Sequence, residues 1–126
     1  MRAGLTLDAG ALIAFERNNR RIVGLIARSL ELGQSLAIPA GVVGQVWRDG
    51  RRQARLSRFL AAVEVDVEIL DDQRARAAGQ LCGVKGTADV IDASVVLCAQ
   101  AREHRIVTSD AADLRTLDPK AQLIVV

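Results

Sequence analysis

Five aspartates stand where apolar segments end or where helices are expected to begin. Asp8 and Asp110 each follow a short apolar segment typical of a buried strand, and Asp113 comes three residues after Asp110. Asp89 and Asp92 lie at the start and in the first turn of a predicted helix. Because parallel strands all end at one edge of their sheet, we expect these carboxylates to gather there. A gathering of carboxylates predicts a divalent metal site.

Taken singly, most of these aspartates also fit the N-cap of a helix, where Asp is a preferred residue. Asp92 does not, because it lies inside a helix that is apolar nearly all round and therefore predicted to be buried. An ionised carboxylate there is costly unless it is paired or bound to a metal. Asp89 lies on the same face, and two carboxylates about 4 Å apart repel by roughly 4 kcal/mol at an effective dielectric of 20. A divalent cation removes this conflict.

The ligand types indicate which metal. Carboxylate oxygens without histidine or thiolate suit Mg²⁺ or Mn²⁺, and an ion held in this way suits phosphate chemistry. The single histidine, His104, is predicted at the surface near a helix end, and Cys82 and Cys98 are predicted to be buried, reduced thiols. A structural zinc site is therefore not expected.

Length and composition predict one globular domain over residues 1–126. Half of the residues are hydrophobic and a quarter are charged, which is typical of a globular rather than a disordered chain. No apolar run approaches the roughly 20 residues of a membrane span, and the N-terminus lacks the apolar core of a signal peptide. We therefore expect a cytoplasmic protein that does not enter the membrane.

The elements that must position the aspartates alternate along the chain. Strands are predicted at 3–7, 35–38, 63–70, 105–108 and 122–126, and helices at 9–15, 20–33, 40–48, 52–62, 72–82, 88–103 and 110–117. Helical crossovers between strands imply a three-layer α/β/α domain with a central, mainly parallel five-stranded sheet. The third strand alternates valine and isoleucine with acidic residues, as expected of an edge strand with one wetter face.

A cluster of arginines lies in the middle of the chain, although the net charge is only +2. Its members recur at three- and four-residue spacing, namely Arg48, Arg51, Arg52, Arg55 and Arg58. On a helix beginning near residue 52 they would form a basic stripe opposite Leu56 and Phe59. Such a stripe suits RNA phosphates or an acidic protein segment, and a plain solvated helix face is an equal alternative. The neighbouring Trp47 is interpreted as a partner contact, with a core position as the alternative.

Four segments resemble the motifs of PIN-domain ribonucleases, specifically the VapC-type toxins of bacterial toxin–antitoxin pairs. The matching segments are Leu7-Asp8-Ala9, residues 38–46, residues 92–99, and Ile106–Asp110 followed by Asp113-Leu114. The resemblance covers essentially the whole chain. It implies a PIN-like fold, an endoribonuclease that depends on Mg²⁺ or Mn²⁺, an RNA substrate and a cognate VapB-type antitoxin.

The resemblance also implies roles for individual residues. Asp8, Asp92 and Asp110 are the expected catalytic metal ligands, and Asp89 and Asp113 are adjoining acids that ligate the metal or orient water. Thr108 and Ser109 are expected to contact phosphate or the outer shell of the site. The implied reaction is attack by metal-bound water on an RNA phosphodiester.

Gln45 departs from the pattern, because the family usually has Glu at this position. An amide oxygen still accepts a hydrogen bond from water or ligates weakly, but the missing charge predicts weaker metal binding, which Asp89 would offset. The alternative to an enzyme is a PIN-fold module with an impaired centre that mainly binds an antitoxin or RNA. A phosphotransfer receiver is disfavoured, because the only lysines, Lys85 and Lys120, fall in predicted loops. A homodimer through the apolar N-terminal helices is also expected.

Overall fold

The computed structural model describes residues 3–126 and has a five-stranded parallel sheet at its centre. The strands are β1 (Gly4–Leu7), β2 (Ser35–Pro39), β3 (Val65–Glu68), β4 (Arg105–Thr108) and β5 (Leu123–Val125). Their order across the sheet is β3-β2-β1-β4-β5, and each neighbouring pair is parallel. The predicted α/β sheet is confirmed, and β3 lies at an edge as expected.

Within residues 3–126, seven helices cover the two faces of the sheet. They are α1 (Ala9–Glu16), α2 (Arg20–Glu31), α3 (Ala40–Val46), α4 (Ala54–Leu60), α5 (Asp72–Lys85), α6 (Val90–Arg102) and α7 (Ala111–Leu117). Helix α1 contacts α2, α3 and α4, whereas α5, α6 and α7 contact one another and α6 packs along β1, β2 and β4. With this strand order, the usual right-handed crossovers assign α1 to α4 to one face of the sheet and α5 to α7 to the other. The three predicted layers are present. No helix in the described part of the chain is long and apolar enough to cross a membrane.

Apolar strands form the core because both faces of this sheet are covered. Leu5, Leu7, Leu36 and Ile38 have no exposed surface in β1 and β2, as parallel strands buried on both sides require. Helix α6 adds four consecutive buried residues over 93–96, so its predicted burial is confirmed. The centre of the sheet thus fixes where β1 and β4 end, and these two ends carry Asp8 and Asp110.

The predicted helix ends are largely correct. The side chain of Asn19 accepts hydrogen bonds from the backbone N–H groups of Arg21 and Ile22 and caps α2, and Gly33 follows that helix with a positive φ of 70°. Helix α5 is longer than predicted, because residues 83–85, expected in a loop, continue it. It ends at Gly86, whose φ of 71° is a left-handed conformation that glycine adopts without steric cost.

The third strand is shorter than predicted. Its alternation of apolar and acidic residues does not determine which side chains are buried. Val63 and Ile69 lie outside the strand and are 96% and 64% exposed. The side chain of Glu68 is only 10% exposed, because Arg102 of α6 reaches across to pair with it and with Asp66. An ion pair thus covers this edge where the pattern predicted an apolar face.

The basic helix predicted over residues 52–62 is wrong in its extent. Helix α3 ends at Val46 and α4 begins at Ala54, so Arg48, Arg51 and Arg52 lie in the connecting loop and only Arg55 and Arg58 are helical. The Gln53 side chain accepts hydrogen bonds from two loop N–H groups and fixes a non-helical path. The arginines therefore do not form one helical stripe.

His104 is buried, at 8% exposure, so its predicted surface position is wrong. Its Nδ1 lies 3.1 Å from the Thr6 hydroxyl and its Nε2 lies 3.0 Å from the Ser35 hydroxyl, which satisfies both ring nitrogens. Burial, together with the nearby positive charge of Arg102, lowers the pKa of His104 and favours the neutral ring.

Cys82 and Cys98 are buried and not bonded to each other, as predicted. Burial, and then the negative charge of Glu68, raises the pKa of Cys98 to about 12. This thiol therefore stays protonated at physiological pH and behaves as a small core residue.

Candidate active site

Asp8 lies directly after β1 and is held in place by the backbone that follows it. It occupies the N-cap of α1, and its Oδ1 accepts a hydrogen bond of 3.0 Å from the Ala11 N–H. Burial raises the pKa of Asp8, and the charge of Asp110 adds to this, while hydrogen bonds from the Thr108 hydroxyl and the Ala11 N–H act in the opposite direction. Asp8 is thus an oriented and partly desolvated carboxylate.

The end of β4 brings a second acidic junction against the first. The Asp110 N–H donates to the Thr108 hydroxyl at 2.8 Å, which turns the chain into α7. Asp110 stands at the N-cap position of α7 without a side-chain capping bond, so its carboxylate is not used by the helix. Asp113 lies in the first turn of α7, and its hydrogen bond to Asp110 and the charge of Asp110 raise its pKa.

Direct packing joins these two junctions. A Cβ atom at Gly10, in the first turn of α1, would collide with the side chain of Ser109. Only glycine leaves room for the two loops to approach so closely. Ser109 is itself exposed beside this contact, so the β1 and β4 loops form one continuous surface.

The start of α6 completes the cluster. Asp89 caps α6 by accepting hydrogen bonds from the Ile91 N–H (3.1 Å) and the Asp92 N–H (2.9 Å). Asp92 is half-buried rather than fully buried as expected, and its pKa is raised to about 6. Burial is the largest cause, followed by the negative charges of Asp89, Asp113, Asp8 and Asp110 in that order. The other four predicted aspartates therefore all lie close enough to Asp92 to raise its pKa.

Gln45 is exposed on α3, and that helix lies beside the cluster. A Cβ atom at Gly41 would lie only 3.3 Å from the Ile91 side chain of α6, so the first turn of α3 packs closely against the helix that carries Asp92. Gln45 stands one turn further along the same face of α3. No hydrogen bond joins its amide to another residue within 3–126.

Within the described residues, 3–126, no cationic side chain forms an ion pair with the cluster. Each ion pair found within residues 3–126 uses other acids, and none uses the five aspartates. In the described part of the chain, no three His, Cys, Asp or Glu side chains are grouped tightly enough to ligate one ion as they stand. The oxygen donors fit Mg²⁺ or Mn²⁺ by type, and their side chains must draw together to reach a ligating geometry.

The five arginines fall into two groups. The Arg48 guanidinium donates to the Trp47 and Gly44 carbonyl oxygens, and Arg55 stacks 4.7 Å from the Phe15 ring centroid and donates to the Phe15 carbonyl oxygen. The guanidinium groups of Arg48 and Arg55 are therefore engaged in contacts within the fold. Arg51, Arg52 and Arg58 are exposed.

Two glycines that shape the site were not singled out as functional by sequence reasoning. Gly10 and Gly41 each stand in the first turn of a helix, where glycine is costly unless a close approach requires it. Gly10 lies two residues after Asp8, and Gly41 lies two residues after Pro39. A glycine at such a position predicts tight packing at the site.

Comparisons with known proteins agree with the fold. No protein-family model matches the chain, and no curated protein matches its sequence. A chain in the crystal structure of VapBC2 from Rickettsia felis, bound to a promoter DNA fragment, is similar to it with a TM-score of 0.70 and 16% identity, over 97% of this chain and 98% of that one.

Two further structures are similar over nearly their whole length. A toxin–antitoxin complex from Klebsiella pneumoniae matches with a TM-score of 0.69 and 15% identity, over 97% of each chain. FitAcB from Neisseria gonorrhoeae matches with a TM-score of 0.61 and 16% identity, over 95% of this chain and 96% of that one. The expected resemblance to PIN-domain, VapC-type toxins is confirmed at the level of the fold.

Proposed function

We propose that this protein is a metal-dependent endoribonuclease and the toxin of a toxin–antitoxin pair. The observation that carries the proposal is the cluster of five aspartates at the carboxyl edge of the sheet, in which four act on Asp92 and none has a cationic partner within residues 3–126. Ligand sites of open α/β sheets lie at this edge. The similarity in fold to chains from toxin–antitoxin complexes supports the assignment to such a pair.

In this proposal Asp8, Asp92 and Asp110 hold Mg²⁺ or Mn²⁺, and Asp89 and Asp113 complete the acidic pocket. A bound divalent ion lowers the pKa of a water molecule and polarises a phosphoryl oxygen, which is the chemistry that hydrolysis of an RNA phosphodiester needs. Asp8 is positioned for this role because the Ala11 N–H already fixes its orientation.

The remaining polar residues of the site are proposed to bind the substrate or to orient the carboxylates and water. The Thr108 hydroxyl accepts a hydrogen bond from the Asp110 N–H and lies close enough to Asp8 to lower the pKa of that carboxyl, so it stands between two of the acids. Ser109 is an exposed residue beside Gly10, and it lies on the surface that the substrate phosphate would approach. Gln45 accepts or donates hydrogen bonds to water at the rim of the pocket without adding charge.

A second candidate function is a PIN-fold module that binds RNA or an antitoxin without cleaving. Gln45 in place of the usual Glu favours it, as does the absence of a tight three-acid group in residues 3–126. This alternative predicts RNA binding without turnover, whereas the first predicts turnover that depends on Mn²⁺ or Mg²⁺.

The proposed partner is a VapB-type antitoxin in the bacterial cytoplasm, and the proposed assembly is a homodimer. Exposed apolar side chains on the N-terminal helices support the dimer: Ile13 on α1, Leu30 on α2, and Leu32 just after it, are all more than a third exposed. Such residues on adjacent elements suit a two-fold interface.

The test is cleavage of defined RNAs with and without Mn²⁺. Asp8→Asn and Asp92→Asn keep an oxygen that accepts hydrogen bonds but lose the charge, and each should reduce metal-dependent cleavage by about 100-fold or more. Asp66→Asn, outside the cluster, is the matched control and should cleave like the wild type. If cleavage by Asp92→Asn equals that of the wild type, Asp92 has no catalytic role, and a wild type that binds RNA without turnover is the binding module.

A further inference from the structure

The loop over residues 47–53, between α3 and α4, is organised by the hydrogen bonds of one side chain, that of Gln53. The Gln53 amide oxygen accepts hydrogen bonds from the Arg48 N–H (2.7 Å) and the Asp49 N–H (3.0 Å). Its amide nitrogen donates to the Val46 carbonyl oxygen at 2.9 Å and to both carboxylate oxygens of Glu16 at 3.2 Å. The loop is therefore tied to the ends of α3 and α1.

Trp47 is held at the surface of this loop. Its side chain remains exposed, and the backbone of Gly50 packs against its indole ring, since a Cβ atom at Gly50 would lie 2.9 Å from Cζ2. One side of the ring is thus supported by the loop. A large, rigid and exposed aromatic ring of this kind is suited to stacking with a planar group.

Two cationic groups accompany the ring. The Arg52 side chain is 89% exposed, and its Nε stands 3.9 Å from the nearest Asp49 oxygen, which is a weak contact. The Arg51 side chain has no hydrogen-bond or ion-pair partner within residues 3–126. Unlike Arg48 and Arg55, these two guanidinium groups are available to a ligand.

Helix α3 connects this loop to the acidic cluster. Its first turn packs against α6 beside Asp92, and its seven residues span on the order of 10 Å before the loop begins. An acidic pocket repels a polyanion, so an RNA chain that enters it needs cationic groups a short distance away. The loop begins at the end of α3, between one and two helical turns beyond the residue that contacts α6.

We infer that the 47–53 loop is a binding site for single-stranded RNA, in which Trp47 stacks on one unpaired base and Arg51 and Arg52 bind the flanking phosphates. This inference rests on the proposed nuclease function and adds a specific subsite to it. The combination of an aromatic ring with arginine favours RNA over an acidic protein segment, because base stacking uses the ring face and guanidinium forks suit phosphate.

The chain offers a direct reporter, because Trp47 is its single tryptophan. We would titrate the wild-type protein, without divalent metal, with a single-stranded 2′-O-methyl RNA oligonucleotide that resists cleavage. Stacking of a base on Trp47 should quench the intrinsic fluorescence in a saturable way. Binding detected by anisotropy of a labelled oligonucleotide without any change in tryptophan emission overturns the inference.

Variants separate the ring from the charges. Trp47→Leu should weaken binding of the oligonucleotide about ten-fold, as loss of one stacked base does. Arg51→Ala and Arg52→Ala should each reduce the slope of log Kd against log salt by about 0.7, without disturbing the core. Arg76→Ala is the matched control, since Arg76 is an exposed arginine on α5, on the other face of the sheet, and it should bind like the wild type.

The two proposals fail in different ways. If the wild type cleaves RNA but Trp47→Leu and the arginine variants bind the oligonucleotide normally, the nuclease stands and this subsite is wrong, and a protein segment becomes the candidate occupant of the loop. If the wild type does not cleave RNA but quenching and the variant effects are present, the subsite stands and the catalytic proposal fails.

Discussion

Two acidic clusters flank helix α6, and they differ in how their charge is balanced. Near its C-terminus, Arg102 pairs with Asp66 and Glu68 of β3, and Arg74 pairs with Glu68 and Asp71. Near its N-terminus, Asp89 and Asp92 meet Asp8, Asp110 and Asp113, and no arginine or lysine within residues 3–126 pairs with them.

The acids of the first cluster stabilise the fold through ion pairs, whereas the acids of the second cluster are positioned by the fold without being paired. In the paired cluster, Glu68 is nearly buried and its charge is satisfied by two guanidinium groups, so it joins β3 to α5 and α6. In the unpaired cluster, hydrogen bonds from backbone N–H groups fix Asp8 and Asp89 in place while mutual repulsion remains. A bound cation would relieve this remaining repulsion between the carboxylates.

The largest effect on stability is expected from the paired cluster. Arg102→Met removes the cation that serves Asp66 and Glu68 and leaves the nearly buried Glu68 with Arg74 alone. Breaking a mostly buried ion pair should lower the free energy of unfolding by about 3 kcal/mol, measured by urea denaturation. A change in the free energy of unfolding under about 0.5 kcal/mol would mean that this ion-pair network does not stabilise the fold. The two clusters would then not differ in that respect.

The unpaired cluster should respond with the opposite sign. Asp92→Asn removes one of five repelling charges, so the metal-free variant should be more stable than the wild type at pH 7. Asp92 is half-exposed, and after allowance for solvent screening we expect a gain of about 1 kcal/mol. Thermal denaturation in a chelating buffer measures it, and Asp66→Asn, which removes a paired acid, should show no gain.

The stability gained by Asp92→Asn should also depend on pH. The pKa of Asp92 is about 6 in the folded protein and 3.8 in a model peptide, so the folded state binds its proton more tightly. The associated stability is fully present below about pH 4 and is lost as the pH rises towards 6. The advantage of Asp92→Asn over the wild type should therefore grow between pH 4 and pH 7, and an advantage that does not vary with pH would contradict the repulsion.

The smallest effect is expected at the rim of the cluster. Gln45→Glu adds a carboxylate on the exposed face of α3 and should tighten Mn²⁺ binding a few-fold, because one more partly screened charge faces the ion. Titration calorimetry measures it, and Gln122→Glu provides a control with the same change in charge, because Gln122 is exposed and lies just before β5, at the opposite edge of the sheet. An unchanged Mn²⁺ affinity in a folded Gln45→Glu variant would place Gln45 outside the site.

Most of the fold is predictable from the sequence, because strands and helices differ in apolar periodicity and the crossovers leave little freedom of topology. The convergence of Asp8 and Asp110 follows from the same rule, since parallel strands end together, and Asp92 joins them because α6 begins beside that edge. The edge position of β3 is also predictable from its acidic residues, although the pairing of Glu68 with Arg102 is not. Such a pair joins residues 34 positions apart, and no local pattern indicates it.

The remaining differences have the same origin in tertiary contacts. His104 is buried because Gly4, Thr6 and Ser35 make a polar niche for its ring, and those residues lie on two other strands. The path of residues 47–53 depends on the Gln53 amide reaching back to Arg48, which helical spacing of arginines cannot reveal.

The metal site is tested most directly by anomalous diffraction from crystals of the protein soaked in Mn²⁺. We expect a manganese peak bounded by carboxylate oxygens of Asp8, Asp92 and Asp110, and no such peak in crystals of Asp92→Asn. A well-diffracting wild-type crystal without a peak at the carboxyl edge of the sheet, or with manganese only beside Asp66 and Glu68, would contradict it.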